Sequence, residues 1–182
     1  PWAAAPVTPP IDIDQRNSTP TSLRDHLREQ VGLTPFSATD QEIAAAVIDA
    51  VNDDGYLGCD LEEIRQSIDV EVDDDEIEAV LHQIQNYDPA GVAARSLREC
   101  LSVQLHQLHP DIRGLDLAIR IVDEFLECLG GRDLARIRRS TNSTEDEVRT
   151  AVELIQGLNP RPGTAITSSA PDYVIPDILV TH

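Results

Sequence analysis

The chain has 182 residues, 41 % of them hydrophobic but only 3 % aromatic and none Met, so a core must be built from Leu, Ile, Val and Ala, a palette that favours helices. All 14 basic residues are Arg and they face 33 acidic residues, a formal net charge of -19 that repels phosphate backbones and anionic lipid and makes basic proteins the easier partners. Cys59, Cys100 and Cys128 have no close pairing motif, which points to a reducing cytoplasm, and no apolar run approaches the roughly 20 residues of a membrane helix.

The first stretch, Pro1 to Pro20, is rich in Pro, Ala, Thr and Asp without periodicity and reads as a flexible linker. Ser22 then offers an N-cap, and Leu23, Leu27 and Val31 share a stripe that Gly32 should end. Ile43, Val47, Ile48 and Val51 predict a second helix from about Asp40 to Asn52, stopped by Asp53, Asp54 and Gly55. Asp60 with Glu63 resembles a capping box for a helix carrying Leu61, Ile64 and Ile68, and the acidic run Asp73 to Glu76 opens a fourth, lined by Ile77, Val80, Leu81 and Ile84.

Asp88-Pro89-Ala90-Gly91 is a strong break, because Pro89 disfavours helical geometry at Asp88 and Gly91 tolerates positive φ. A lobe boundary is expected there. Ser96 with Glu99 again resembles a capping box, and Leu97, Cys100, Leu101, Leu105 and Leu108 form a stripe up to Pro110. A longer helix from about Leu115 to Leu129 follows, with Ala118, Val122 and Phe125 inward and Gly130-Gly131 after it. A short arginine-bearing helix, Asp133 to Arg139, leads to a last one whose stripe is Val148, Ala151, Val152, Ile155 and Leu158. Asn159-Pro160-Arg161-Pro162-Gly163 closes the module, and Tyr173 to His182 reads as an extended tail. The pattern predicts an all-α fold of about eight helices in two small bundles.

The acidic block Asp40 to Asp88 holds sixteen carboxylates against a single Arg65. These lie mainly at helix starts and outer positions, so they suit a basic protein partner better than acid-base chemistry or Mg²⁺. His106 and His109, with Cys100, make a weak metal signal, since the two imidazoles equally suit a helix end. Arg132, Arg136, Arg138 and Arg139 form the basic cluster, fitted either to a phosphate or to neighbouring acidic helices. No nucleotide-binding loop or hydrolase triad is present, and no catalytic, metal or cofactor site is expected.

Three turn sequences carry a family resemblance: Asn52-Asp53-Asp54-Gly55-Tyr56-Leu57, the run Ile84 to Leu101 around Asp88-Pro89-Ala90-Gly91, and Leu158-Asn159-Pro160-Arg161-Pro162-Gly163. In order and spacing, with Ser22-Leu23-Arg24-Asp25-His26-Leu27 before them and Pro176-Asp177-Ile178-Leu179-Val180 after them, they resemble the sigma-54 family. One departure is Ala93, where the family usually carries Gly; if positive φ is needed there, Ala costs something.

The resemblance implies the core RNA polymerase-binding portion of a sigma subunit for enhancer-dependent transcription initiation, non-catalytic and cytoplasmic, with no membrane role. An AAA-type ATPase activator and promoter DNA are then expected to engage regions of the full-length protein other than these. The expected organisation is a linker over 1–20, a first lobe over 21–90, a second over 91–165 and a tail over 166–182. Candidate partner-interface or lobe-junction residues are Asp88, Pro89, Gly91, Arg95 and Arg98, with Asn159, Pro160, Arg161, Pro162 and Gly163. Plain helix-terminating turns account for them equally well. The competing reading is an acidic helical DNA-binding regulator, with Leu61 to Ile68 and Asp75 to Tyr87 imitating a helix-turn-helix.

Overall fold

The computed structural model describes residues 22–167. The expected linker and the Tyr173 to His182 tail lie outside them. The described residues form nine helices: α1 (Leu23–Leu33), α2 (Ala38–Ala50), α3 (Leu61–Gln66), α4 (Asp74–Gln85), α5 (Leu97–His106), α6 (Leu115–Gly130), α7 (Leu134–Thr141), α8 (Glu145–Gln156) and α9 (Thr164–Thr167). Two isolated β-bridges are the extended pairings among these residues, so the fold is all-α.

Short polar side chains start most of the helices by accepting from the free backbone N–H groups of the first turn. Ser22 Oγ takes the Asp25 N–H at 3.2 Å. Ser37 with Asp40 and Thr144 with Glu147 make reciprocal capping boxes. Ser37 is why α2 begins ahead of the apolar stripe, which marks only the buried face. Asp60 takes the Glu63 N–H at 2.9 Å. The Ser96 box is half made: Ser96 Oγ accepts from the Glu99 N–H at 3.2 Å, but the Glu99 carboxylate turns to Arg95. Gly32 does not end α1, which continues through Leu33; Thr34 closes it by donating its N–H to the Val31 carbonyl. Asn142, left-handed at φ 53°, ends α7.

Two apolar clusters organise the chain. In the first, α2 packs against α1, α3 and α4, and Leu27, Ile43, Ile48, Ile77, Leu81 and Ile84 are completely shielded from solvent. In the second, α6 packs against α5, α7 and α8 around Leu105, Ile121, Ile137, Val148 and Ala151. Each such Leu, Ile or Val contributes about 1.5–3 kcal/mol on burial. Leu97, expected inward, stays 42 % exposed. Ile166, near the end of the described chain, returns to pack on the first cluster.

Candidate functional site

The three turns that carry the resemblance meet at one place between the two clusters. The first is built by Asn52, whose N–H donates to the Tyr56 carbonyl at 2.9 Å, while its side-chain oxygen accepts from the Tyr56 N–H at 3.0 Å. Gly55 adopts φ 94° in this turn. The second turn pairs with the first: the Ala93 N–H donates to the Gly55 carbonyl at 2.7 Å and the Leu57 N–H to the Ala94 carbonyl at 3.0 Å. The third closes over both, with the Gly163 N–H on the Asp54 carbonyl at 3.0 Å and the Tyr56 hydroxyl donating to the Pro160 carbonyl at 2.5 Å.

Backbone approaches backbone here so closely that two glycines are required by space alone. A Cβ on Gly163 would stand 2.2 Å from the Asp53 carbonyl oxygen, and one on Gly55 would stand 2.6 Å from the Gly163 nitrogen. Gly91 combines φ 80° with the same crowding, 2.7 Å from the Cys100 carbonyl oxygen.

Ala93 occupies the left-handed region at φ 58°. That conformation costs a residue with a Cβ about 1–2 kcal/mol. The Ala93 methyl is fully buried in the first cluster, worth about 0.8 kcal/mol, and Ala orders more cheaply than Gly by about 0.4–1 kcal/mol. The terms nearly cancel, so Ala93→Gly should shift unfolding free energy by no more than about 0.5 kcal/mol in a urea titration.

Side chains from both clusters hold the turns. Gln104, buried on α5, grips Asn159 twice: its Nε2 donates to the Asn159 carbonyl at 2.7 Å and its Oε1 accepts from the Asn159 N–H at 2.9 Å. On the other side, Gln30 of α1 grips Asp88 the same way, at 2.6 and 2.9 Å. His26 Nε2 stands 3.5 Å from the Asp88 carboxylate, an ion pair when the imidazole is protonated. Arg24 donates two bonds, at 3.1 and 2.9 Å, to the Val51 carbonyl at the end of α2. Helix α1 thus latches both the first and the second turn.

Most of the sequence-derived candidates fall in or beside this junction. Asp88 is held by its backbone, and the Asp88–Pro89 peptide is cis. Pro89, Gly91, Pro162 and Gly163 are buried. Asn159 also accepts the Arg161 N–H on its side-chain oxygen at 2.9 Å, and Arg161 reaches Asp54 at 3.7 Å. Arg95 pairs with Glu99 at 2.8 Å and Glu78 at 3.2 Å, joining α5 to α4. Burial alone would raise the Glu99 carboxyl, but the Arg95 guanidinium and backbone N–H outweigh it and hold that carboxyl below the usual range. Arg98 takes no part in the bonded network; it is exposed on the wall of the α4–α5 cleft with His82 and Ser102.

Sequence reasoning passed over Gln30, Arg24, Tyr56 and Gln104. Gln104 had a signal: it is a polar side chain between Leu101 and Leu105, inside an otherwise apolar stripe. Tyr56 lay within a quoted motif without being singled out.

Burial pushes the Tyr56 phenol up to about 12 from 10.0, with Cys100 and Asp54 adding to the shift. A raised acid favours the neutral form in the folded state, so this contribution is intact below pH 10 and is lost as pH rises toward 12. Alkaline titration of absorbance should show one phenol ionising late, together with unfolding, and Tyr56→Phe should remove that late step.

The other expectations resolve differently. His106 ends α5, with its Nδ1 2.7 Å from the Ser102 carbonyl, whereas His109 lies past the helix beside Asp111 at 3.5 Å. The two imidazoles have different partners, and among the described residues no group of three metal-type ligands forms. Arg138 of α7 sits 3.7 Å from Glu145 and Arg139 donates to the Ala135 carbonyl. Helices α3 and α4 do not make a DNA-reading pair: Arg65 is tied to Glu62 and Asp74, and α4 opens with Asp74, Asp75 and Glu76. Among the described residues no helix is long and apolar enough to cross a membrane.

Comparison with known proteins agrees with the motifs. The profile of the Sigma-54 factor, core binding domain family matches residues 12–182. The chain is 50 % identical over 171 residues to the RNA polymerase sigma-54 factor of Azotobacter vinelandii, covering 93 % of this chain and 34 % of that protein. It is 49 % identical over 166 residues to the factor of Salmonella typhimurium and 48 % to that of Escherichia coli, covering 91 % of this chain and 35 % of each relative. The chain spans about a third of the length of these relatives. A profile match over residues 12–182, with the family's three turns locked together in space, shows that the chain belongs to the sigma-54 factor family, within its core-binding domain.

Proposed function

We propose that this chain is the core RNA polymerase-binding part of an enhancer-dependent sigma-54-type factor, acting without catalysis in the bacterial cytoplasm. The observation that supports the reading most directly is the match of residues 12–182 to the core-binding family. The charge distribution fits it: residues 22–90 carry a formal -15, suited to a polymerase whose DNA-facing elements are basic, whereas residues 91–167 carry only -1. The two bundles, the second joined to the first at Ala94 and Pro160, are the two arms presented to the enzyme. The junction at Asp88–Arg95 and Asn159–Gly163 sets their relation; its buried members act through geometry, while Arg98 and Arg161 are open to a partner. The AAA-type ATPase and promoter DNA engage other regions of the longer sigma-54 proteins.

Native gel shift or calorimetry of the purified chain with bacterial core RNA polymerase tests this, with promoter DNA alone as control. The expected result is salt-sensitive binding to polymerase and none to DNA. A folded chain that ignores competent core enzyme overturns the reading.

A further inference from the structure

Outside the junction, α2 and α3 leave an open groove of about 620 Å³ on the first lobe. Its floor is apolar. Ala45 and Ala46 of α2 are too short to fill the space beside α3, and Ile68 and Cys59 complete the surface. Burial, with the carboxylates of Glu63 and Asp60, pushes the Cys59 thiol up, so it stays neutral and belongs to the floor.

The rim has one sign. Glu42, Asp49, Glu63 and Asp69 stand around the groove, and no basic side chain lines it. Asp49 is paired with Arg28 at 2.6 Å. Glu42, Glu63 and Asp69 have no cation at ion-pair distance among the described residues: Arg65 is tied to Glu62 and Asp74, and Arg28 to Asp25 and Asp49. A solvated acidic face needs no concave apolar floor, and a metal ion needs none either. Phosphate backbones are repelled. An apolar floor with an acidic rim between two helices is complementary to a cationic helix that carries one apolar stripe.

We propose that this groove docks a basic amphipathic helix of core RNA polymerase, with Leu or Ile side chains on the Ala45–Ala46 floor and Lys or Arg side chains against the rim. Placing that helix on the polymerase rests on the function proposed above; the groove's preference for a basic amphipathic helix stands apart from it.

The probe is a fluorescein-labelled helical peptide of about 16 residues, Leu at i, i+3, i+4 and i+7 and Lys elsewhere, titrated with the whole chain and read by anisotropy. The expected result is saturable binding that Ala45→Trp weakens at least about tenfold, since the indole fills the groove. Ala45 is exposed, so circular dichroism should be unchanged in that variant. The pair Glu42→Gln and Asp69→Gln, which leaves the floor intact, should weaken binding by a similar factor. Equal binding by a peptide with Gln in place of Leu, or indifference to Ala45→Trp, reduces the effect to counterion attraction and overturns the groove. With core polymerase, Ala45→Trp should lose affinity to the same extent. Undiminished polymerase binding by that variant overturns the groove's role there and leaves the proposed function standing. Peptide binding without polymerase binding by the unaltered chain removes the polymerase from the proposal and keeps the groove as a site for basic helices.

Discussion

Gly163→Ala should lower the unfolding free energy by about 3 kcal/mol, the upper end of the cost of forcing extra atoms into a packed site. The added methyl carbon would lie 2.2 Å from the Asp53 carbonyl oxygen, 2.7 Å from the Asp54 carbonyl carbon and 2.7 Å from the Gly55 nitrogen. All three are backbone atoms, so no side-chain rotation relieves the clash. Relief comes by separating the third turn from the first, which sacrifices the Gly163–Asp54 and Tyr56–Pro160 hydrogen bonds. In thermal unfolding the expected drop is about 6–12 °C for a chain of this size. Gly32→Ala is the control, because nothing lies within 4 Å of a Cβ there and the residue is helical. It should stabilise by about 0.5–1 kcal/mol. If both substitutions behave alike, the close approach of the two turns is not what holds the junction.

Gln104→Leu should cost about 2–3 kcal/mol although leucine suits the stripe in which Gln104 stands. Its shape is similar, and Leu101 and Leu105 flank it. The loss arises elsewhere: in a half-buried position the Asn159 N–H loses its partner, and the Asn159 carbonyl keeps only the weak Cys100 thiol donor at 3.8 Å. The third turn then stays bonded to the first lobe through Asp54 and Tyr56 but is held to α5 only by the weak Cys100 thiol contact. Thermal unfolding followed by calorimetry should change from one transition to two, because the second bundle loses its main tie to the rest. A single transition of unchanged enthalpy would show that coupling runs through the second turn alone.

The helices were largely legible in the sequence because most carry both a stripe and a cap; α6, which starts at Gly114 without a side-chain cap, was legible from its stripe. Ser22, Asp60 and Ser96 were read as caps and serve as caps, and the inward faces of α1, α4 and α8 match their apolar spacing. Ends were less legible where one signal was overruled. Gly32 continues α1 because helical geometry is open to glycine when nothing crowds it, and Ser37 starts α2 before its stripe begins. The three turns were recognisable as motifs, yet their meeting was not, since contacts between residues far apart in the chain, Gly55 with Ala93 or Asp54 with Gly163, leave no local periodicity. Likewise, Gln30 and Arg24 carry no signal in the apolar pattern of α1; only the folded chain brings them to Asp88 and Val51. The α2–α3 groove depends on which of four consecutive small or branched positions, Ala44 to Val47, turn outward, and that follows from the packing of Ala44 and Val47 into the first core, which leaves Ala45 and Ala46 to the groove.

The return of Ile166 to the first cluster makes the second bundle an insertion within the first. Its two connections, at Ala94 and Pro160, both touch Tyr56, through the Tyr56–Ala94 bridge and the Tyr56 hydroxyl. Tyr56 and Pro160 lie 104 residues apart, and closing a free loop of that length costs about 4 kcal/mol of chain entropy. Once α5 to α8 have packed, Ala94 and Pro160 lie near each other, and the stretch still to be closed shortens to the residues between Tyr56 and Ala94. The expected order of folding is then that the inserted bundle assembles on its own local contacts and the tyrosine clasp closes late, so Tyr56→Phe should speed unfolding and leave the refolding rate nearly unchanged in stopped-flow kinetics.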